Sequence, residues 1–177
     1  MTLIEVAIAS VLMVVIFGVG LSVSIETRDA WAQIYTDTGA ICAARETLRT
    51  VARELATSTA AHVTITTGTN SDTLVFQEPV SLSGDTITWG ADGTAARTIR
   101  FSVSNGRLTR EVVNANGNDV VGRARLLVSG VDTLYQGQKG LTITRTNNLV
   151  TIALRVKAQQ GGHTWRKRVT TSVLLRN

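Results

Sequence analysis

Glu5 is the residue in the opening stretch whose chemistry most demands an explanation. It stands four residues into a run of apolar side chains that continues to Val23. A carboxylate in a membrane-length apolar helix costs roughly 2.5–3.5 kcal/mol near the helix centre, and less near an end, so it must be compensated. Thr2 stands three residues earlier. Thr-x-x-Glu is a capping box, in which the glutamate reaches back to an amide at the head of its own helix. A second group of reactive side chains lies near the other terminus, where Arg155, Lys157, Arg166, Lys167 and Arg168 accompany Trp165. Cations neutralise phosphates and aromatic faces stack on bases, so this pattern carries the chemistry of an anion or nucleic-acid surface. The alternative is a solvated strand face, or one that pairs with acidic loops of adjacent copies through Asp72, Glu78, Asp85 and Asp92.

The remaining candidates offer less. Asn114-Ala-Asn116-Gly-Asn118-Asp119 is rich in oxygen ligands, but it lacks the EF-hand spacing and a closing glutamate, and it reads as a hairpin turn rather than a calcium loop. His62 and His163 stand far apart with no cysteine or acidic cluster beside either, so neither a metal nor a cofactor is expected. Cys42 reads as a small buried hydrophobe, and as the sole cysteine it cannot close a disulfide within the chain. No serine sits in a Gly-x-Ser-x-Gly setting and no glycine loop is placed to cradle phosphate. Catalytic residues and enzymatic activity are therefore not expected.

The elements that must position these residues follow from composition and periodicity. A chain of 177 residues with 44% hydrophobic side chains is one domain, or one domain on a stalk, and is not of disordered composition. Its formal net charge of +5 is unevenly spread: residues 1–60 and 61–120 each carry four basic and six acidic side chains, whereas residues 121–177 carry ten basic against Asp132 alone. Residues 6–23 contain no charge. A helix of about 25 residues there reaches roughly 38 Å, enough to cross a bilayer. It lacks the basic n-region and the small-residue cleavage site of a secretory signal, and it has no polar face, as a core helix would. Within it Gly18 and Gly20 precede Ser22 and Ser24. Each glycine costs about 0.8–1 kcal/mol against alanine. These positions suggest either a turn that stretches or melts, or close packing through small residues. Phe17, Trp31 and Tyr35 read as packing and membrane-interface anchors.

After Glu26 the helical rhythm continues with a polar face added. Ile34, Ile41, Leu48 and Leu55 recur every seven residues, with Trp31, Ala44, Val51 and Ala52 between them, and Arg45, Glu46, Arg49, Arg53 and Glu54 lie opposite. No proline interrupts residues 1–60, so one long helix is predicted, apolar over residues 1–25 and amphipathic over residues 26–60. From His62 the period becomes two, with β-branched alternating segments at residues 62–67, 73–78, 85–89, 97–104, 107–113, 141–146, 149–158 and 168–176. Residues 126–134 fit a strand or a short helix. Turn residues separate the segments, and Asn105-Gly106 is the best two-residue hairpin among them. The expected architecture is α+β, with the helix packed against a mostly antiparallel β-sheet formed by residues 61–177, which buries the amphipathic stripe.

Met-Thr-Leu-Ile-Glu-Val over residues 1–6, followed by some eighteen apolar residues, resembles the mature amino terminus of type IV pilins and pseudopilins, usually Phe-Thr-Leu-Ile-Glu. Residues 106–110, 126–135 and 173–177 also look like the minor-pilin and J-type pseudopilin branch. The chain departs from many major pilins in having Ser22 where a proline is common, and Cys42 in place of a carboxy-terminal cysteine pair. The resemblance implies that Met1 is exposed by a prepilin peptidase and N-methylated, and that Glu5 pairs with the Met1 amine of a neighbouring subunit. It further implies a homo-oligomeric helical filament, other pilins as partners, an assembly machinery in the inner membrane, and a final location at the cell surface or in a periplasmic pseudopilus. Two other readings stand beside a pilus subunit: a pseudopilin of a type II secretion-type system, and a membrane-anchored binding domain that never polymerises. DNA uptake is a further role known in this family.

Overall fold

The computed structural model describes the backbone of residues 2–83, 86–89, 98–114, 120, 123–160 and 162–176. One α-helix, α1, spans Leu3–Leu55, about 80 Å of rod at 1.5 Å per residue. Its first turn is acidic and its last turn carries Arg53, which matches the sign of the helix dipole at both ends. The helix ends where Thr57-Ser58-Thr59 begins. There the Thr57 hydroxyl donates to the Glu54 carbonyl at 2.7 Å, and the Thr57 and Ser58 amides close onto Glu54 and Leu55. A short 3-10 turn, Ala60–His62, leads into the strands.

Five strands form one antiparallel sheet: β1 (Val63–Thr66), β2 (Thr73–Gln77), β5 (Thr98–Ser104), β6 (Arg107–Val113) and β7 (Arg125–Ser129), in the order β1-β2-β5-β6-β7. Between β2 and β5 lies the hairpin β3 (Pro79–Ser83) with β4 (Thr86–Trp89). A second antiparallel sheet contains β10 (Leu141–Thr146), β11 (Leu149–Gln160) and β12 (His163–Leu174), in that order. A small hairpin, β8 (Leu134–Tyr135) with β9 (Gln138–Lys139), precedes it. The α+β layout of a long helix on antiparallel sheet is therefore the observed one, with the strands divided among several sheets. Residues 126–134 run from strand β7 through an isolated bridge from Val131 to Val156 to the first residue of β8.

The two larger sheets are stitched by backbone hydrogen bonds, Asp72 N–H to Leu141 O at 2.9 Å and Gly140 N–H to Asn70 O at 3.0 Å. Alternation then sends one row of each strand into a shared core. Leu74, Phe76, Ile99, Phe101 and Leu108 come from the five-stranded sheet, and Leu141, Ile143, Val150, Ile152 and Leu154 from the three-stranded one. Ala44, Leu48, Val51 and Leu55 of α1 close it. Asn105-Gly106 makes the predicted two-residue hairpin, both residues at positive φ (49° and 70°), and Asn147 makes another at φ 54°.

The apolar stripe of α1 is longer than its cover. Burial begins at Ala44; Ile41 is half-buried, while Trp31 is 60% and Ile34 57% exposed. The expectation that the sheet buries the whole stripe holds only for its last three turns or so. Periodicity reports which face is apolar, not how far a sheet extends along it. Cys42, expected to be buried, is exposed, because it lies on the flank of the helix that the sheets do not reach.

Candidate assembly site

The head of α1 is built as its residue types dictate. The Thr2 amide donates to Glu5 Oε2 at 2.8 Å, and the Glu5 amide donates to the Thr2 carbonyl at 3.0 Å. The carboxylate thus satisfies an orphan amide of its own helix. Oε1 makes no hydrogen bond among the described residues, so Glu5 keeps acceptor capacity for a second donor. Met1, for which the resemblance implies processing, N-methylation and pairing, lies outside the described residues.

From Thr2 to Trp31 every described side chain is exposed. The most apolar eighteen-residue window of the helix has a mean hydropathy of 2.7 with none of it buried, so this segment is long and apolar enough to cross a membrane. It carries its apolar surface all round, unlike the one-sided stripe of a helix meant for a soluble core. The helix runs unbroken through Gly18, Gly20 and Ser22. The Ser22 hydroxyl donates to the Gly18 carbonyl at 3.0 Å, and Ser10 and Thr27 bond back four residues in the same way. With every amide still present, nothing forces a turn open in the chain alone. A Cβ added at Gly18 or Gly20 would meet open space, so no contact within the chain requires either glycine.

Where the helix meets the sheets, a groove of about 460 Å³ runs between its small-residue flank (Gly39, Ala40 and Ala43) and Leu126, Leu127 and Ala158. Leu126 stands half-exposed at its wall.

The basic cluster is not assembled as one anion site. Arg155 is buried, at 6% exposure. Its guanidinium donates to the carbonyls of Tyr135 and Gln138 at 3.2 and 2.9 Å, and it also meets Gln138 Oε1. It therefore clamps the β8–β9 hairpin. Arg166 pairs with Asp132 at 3.0 Å and lies over the Tyr135 ring, 3.9 Å from its centroid. Lys157, Lys167 and Arg168 are exposed. Register sets Arg168 opposite Arg155 and Lys167 opposite Val156, so Lys167 points to one face of the sheet and Arg168 to the other. Two acidic residues expected to serve other copies are engaged within the chain: Asp72 bonds Lys139 at 2.7 Å and the Ile143 amide at 2.9 Å, and Glu78 lies 3.9 Å from Arg110. Asp85 and Asp92 lie outside the described residues.

No group of three or more potential metal ligands occurs among the described residues. His62 stacks on Trp89 at 4.2 Å, the His163 side chain lies outside the described residues, and so do residues 115–119 of the asparagine-rich loop. Sequence reasoning did not find the Glu54–Arg110 ion pair or the Arg155 clamp. The one signal available was Arg110 itself, which stands in an inward row of β6 between Leu108 and Val112. No family model, no curated protein and no solved structure matches the chain.

Proposed function

We propose that the chain is a structural subunit of a type IV pilus-like filament. The observation that carries this reading is a long helical segment, apolar on every side and wholly exposed, whose sole charge over residues 2–25 is the Glu5 carboxylate. Such a surface has two stable surroundings, lipid and other apolar helices. Before assembly the segment anchors the chain in the inner membrane; afterwards it packs in the core of a rod with the strand domain outside. The transfer is apolar to apolar, so little hydrophobic free energy is gained, and specificity falls to packing and charge. Glu5 of one copy meets the Met1 amine of the next, an attraction strengthened by low dielectric, which offsets the desolvation of both groups. Prepilin peptidase and an ATP-driven assembly machine are the partners this reading requires.

The resemblance of residues 1–6 supports the reading, and so does the absence of any in-chain contact for Gly18 and Gly20. Electron microscopy of the chain purified from membranes, together with mass spectrometry of its amino terminus, tests it. Rods built on an amino-terminally methylated Met1 are expected. Monodisperse single copies under every assembly condition would identify an anchored domain that does not polymerise, and would end the proposal.

A further inference from the structure

We propose that the outer edge of β12 is a docking strand for an extended acidic segment of a different protein, which adds to the three-stranded sheet as a fourth strand. This goes beyond filament assembly and does not depend on it.

The two edges of the β11–β12 hairpin are treated differently. Beyond the end of β10, the free edge of β11 is taken up by the chain itself. The Arg155 amide donates to Gly140 O at 2.7 Å, the Asp132 amide to Arg155 O at 3.0 Å, and the Lys157 amide to Gly130 O at 2.7 Å. β12 pairs with β11 along all of His163–Leu174, and among the described residues no backbone hydrogen bond reaches its other edge. Beyond the strand the Leu175 amide donates to Asn148 O on the β11 side, and the Arg176 amide to Ser58 O, so both bonds come after β12 has ended. Alternate residues of an antiparallel strand direct both N–H and C=O outward, so half of a twelve-residue strand is left as a ready template.

Charge selects the occupant. β12 holds Arg166, Lys167 and Arg168 and no acidic residue. Two copies of it side by side would set like charges against each other. Among the described residues the other outer strands, β1, β3, β4, β7, β8, β9 and β10, contain no aspartate or glutamate either, so none of them offers a second copy a complementary edge. Arg166 is already held by Asp132, which leaves Lys167 on one face and Arg168 on the other to recognise carboxylates. Six residues on, Leu174 is 71% exposed beside its register partner Leu149. The segment that fits is extended, with acidic side chains on both faces at one end and an apolar side chain about 20 Å away at the other.

The test uses the full chain in detergent and a fluorescein-labelled peptide, Leu-Thr-Val-Thr-Val-Thr-Glu-Asp-Glu, written to run antiparallel to β12. Binding is followed by anisotropy, and protection of alternate β12 amides by hydrogen exchange. Two further peptides carry N-methyl groups on the odd or on the even residues. One set should abolish binding and the other spare it, because only one set faces the sheet. Replacing the three acidic residues of the peptide by lysine should weaken it by about tenfold or more. Lys167→Glu with Arg168→Glu should reverse that preference, which separates lost recognition from lost folding. No binding up to about a millimolar, equal binding of both methylated peptides, or displacement by a thymidine oligonucleotide at equal charge would overturn the proposal.

Discussion

Arg110 Nε lies 2.8 Å from Glu54 Oε2, joining the last turn of α1 to the core-facing row of β6. Both side chains are about four-fifths buried, at 21% and 19% exposure, and Glu78 stands 3.9 Å from the same guanidinium. An arginine between Leu108 and Val112 breaks the apolar alternation of β6, and Glu54 is the reason it can. Removing Arg110 leaves the mostly buried Glu54 carboxylate without its cation. Arg110→Ala is therefore expected to destabilise the chain by about 1.5–3 kcal/mol. The Arg110→Met and Glu54→Leu double variant should recover much of that loss. Denaturant titration of the four members of the cycle measures it.

The boundary between covered and uncovered helix predicts a contrast along a single stripe. Leu48 is buried against Leu74, Phe101 and Ile152, so Leu48→Ala should cost about 2–5 kcal/mol. Ile34→Ala, two heptads earlier and exposed, should change the stability of single copies by less than about 0.5 kcal/mol. If Ile34 contacts a neighbour in the rod, the same variant lowers filament yield while leaving the melting curve of dispersed chain unmoved. Parallel measurements of yield and melting decide it.

Gly130 and Gly137 both have positive φ, 75° and 73°, but in different surroundings. A Cβ at Gly130 would come within 2.8 Å of the Lys157 carbonyl, while one at Gly137 meets nothing within 4 Å. Gly137→Ala should cost about 1 kcal/mol, the left-handed backbone penalty alone. Gly130→Ala should cost clearly more, because it also breaks the Lys157 N–H to Gly130 O bond of 2.7 Å. Thermal unfolding of the two variants gives the ranking.

Glu5→Gln keeps an oxygen for the Thr2 amide and removes the charge. Helix content by circular dichroism should stay the same, and filament yield should fall by about tenfold or more if an ionic contact between copies drives register. Unchanged yield would assign Glu5 to capping alone.

Much of the fold was legible because period and punctuation are local. The uninterrupted helix, the alternating segments and the Asn105-Gly106 turn could each be read from neighbouring residues. Three features could not. β3 begins at Pro79, a strand-disfavouring residue, and alternates over only four residues, Val80 to Ser83, and the β8–β9 hairpin turns on Gln136-Gly137, with too few flanking residues to show a period. Arg155 looked like a surface cation, because nothing in its own strand announces the carbonyls of Tyr135 and Gln138 that hold it. Of the candidate assembly site, the Thr2–Glu5 cap was fully readable as a pattern. The extent of bare helix was not, since it depends on where the sheets stop.

That bare length makes α1 a lever. The domain grips it only from about Ala44 onward, and some forty residues, roughly 60 Å at 1.5 Å per residue, project beyond the grip. A pivot of five degrees at the domain swings the far end by roughly 5 Å, several times the tolerance of a hydrogen bond. The folded half therefore cannot aim Glu5; whatever surrounds the rod must. In a filament of the kind proposed, subunits whose outer domains differ widely can then share one bundle, provided that their rods match.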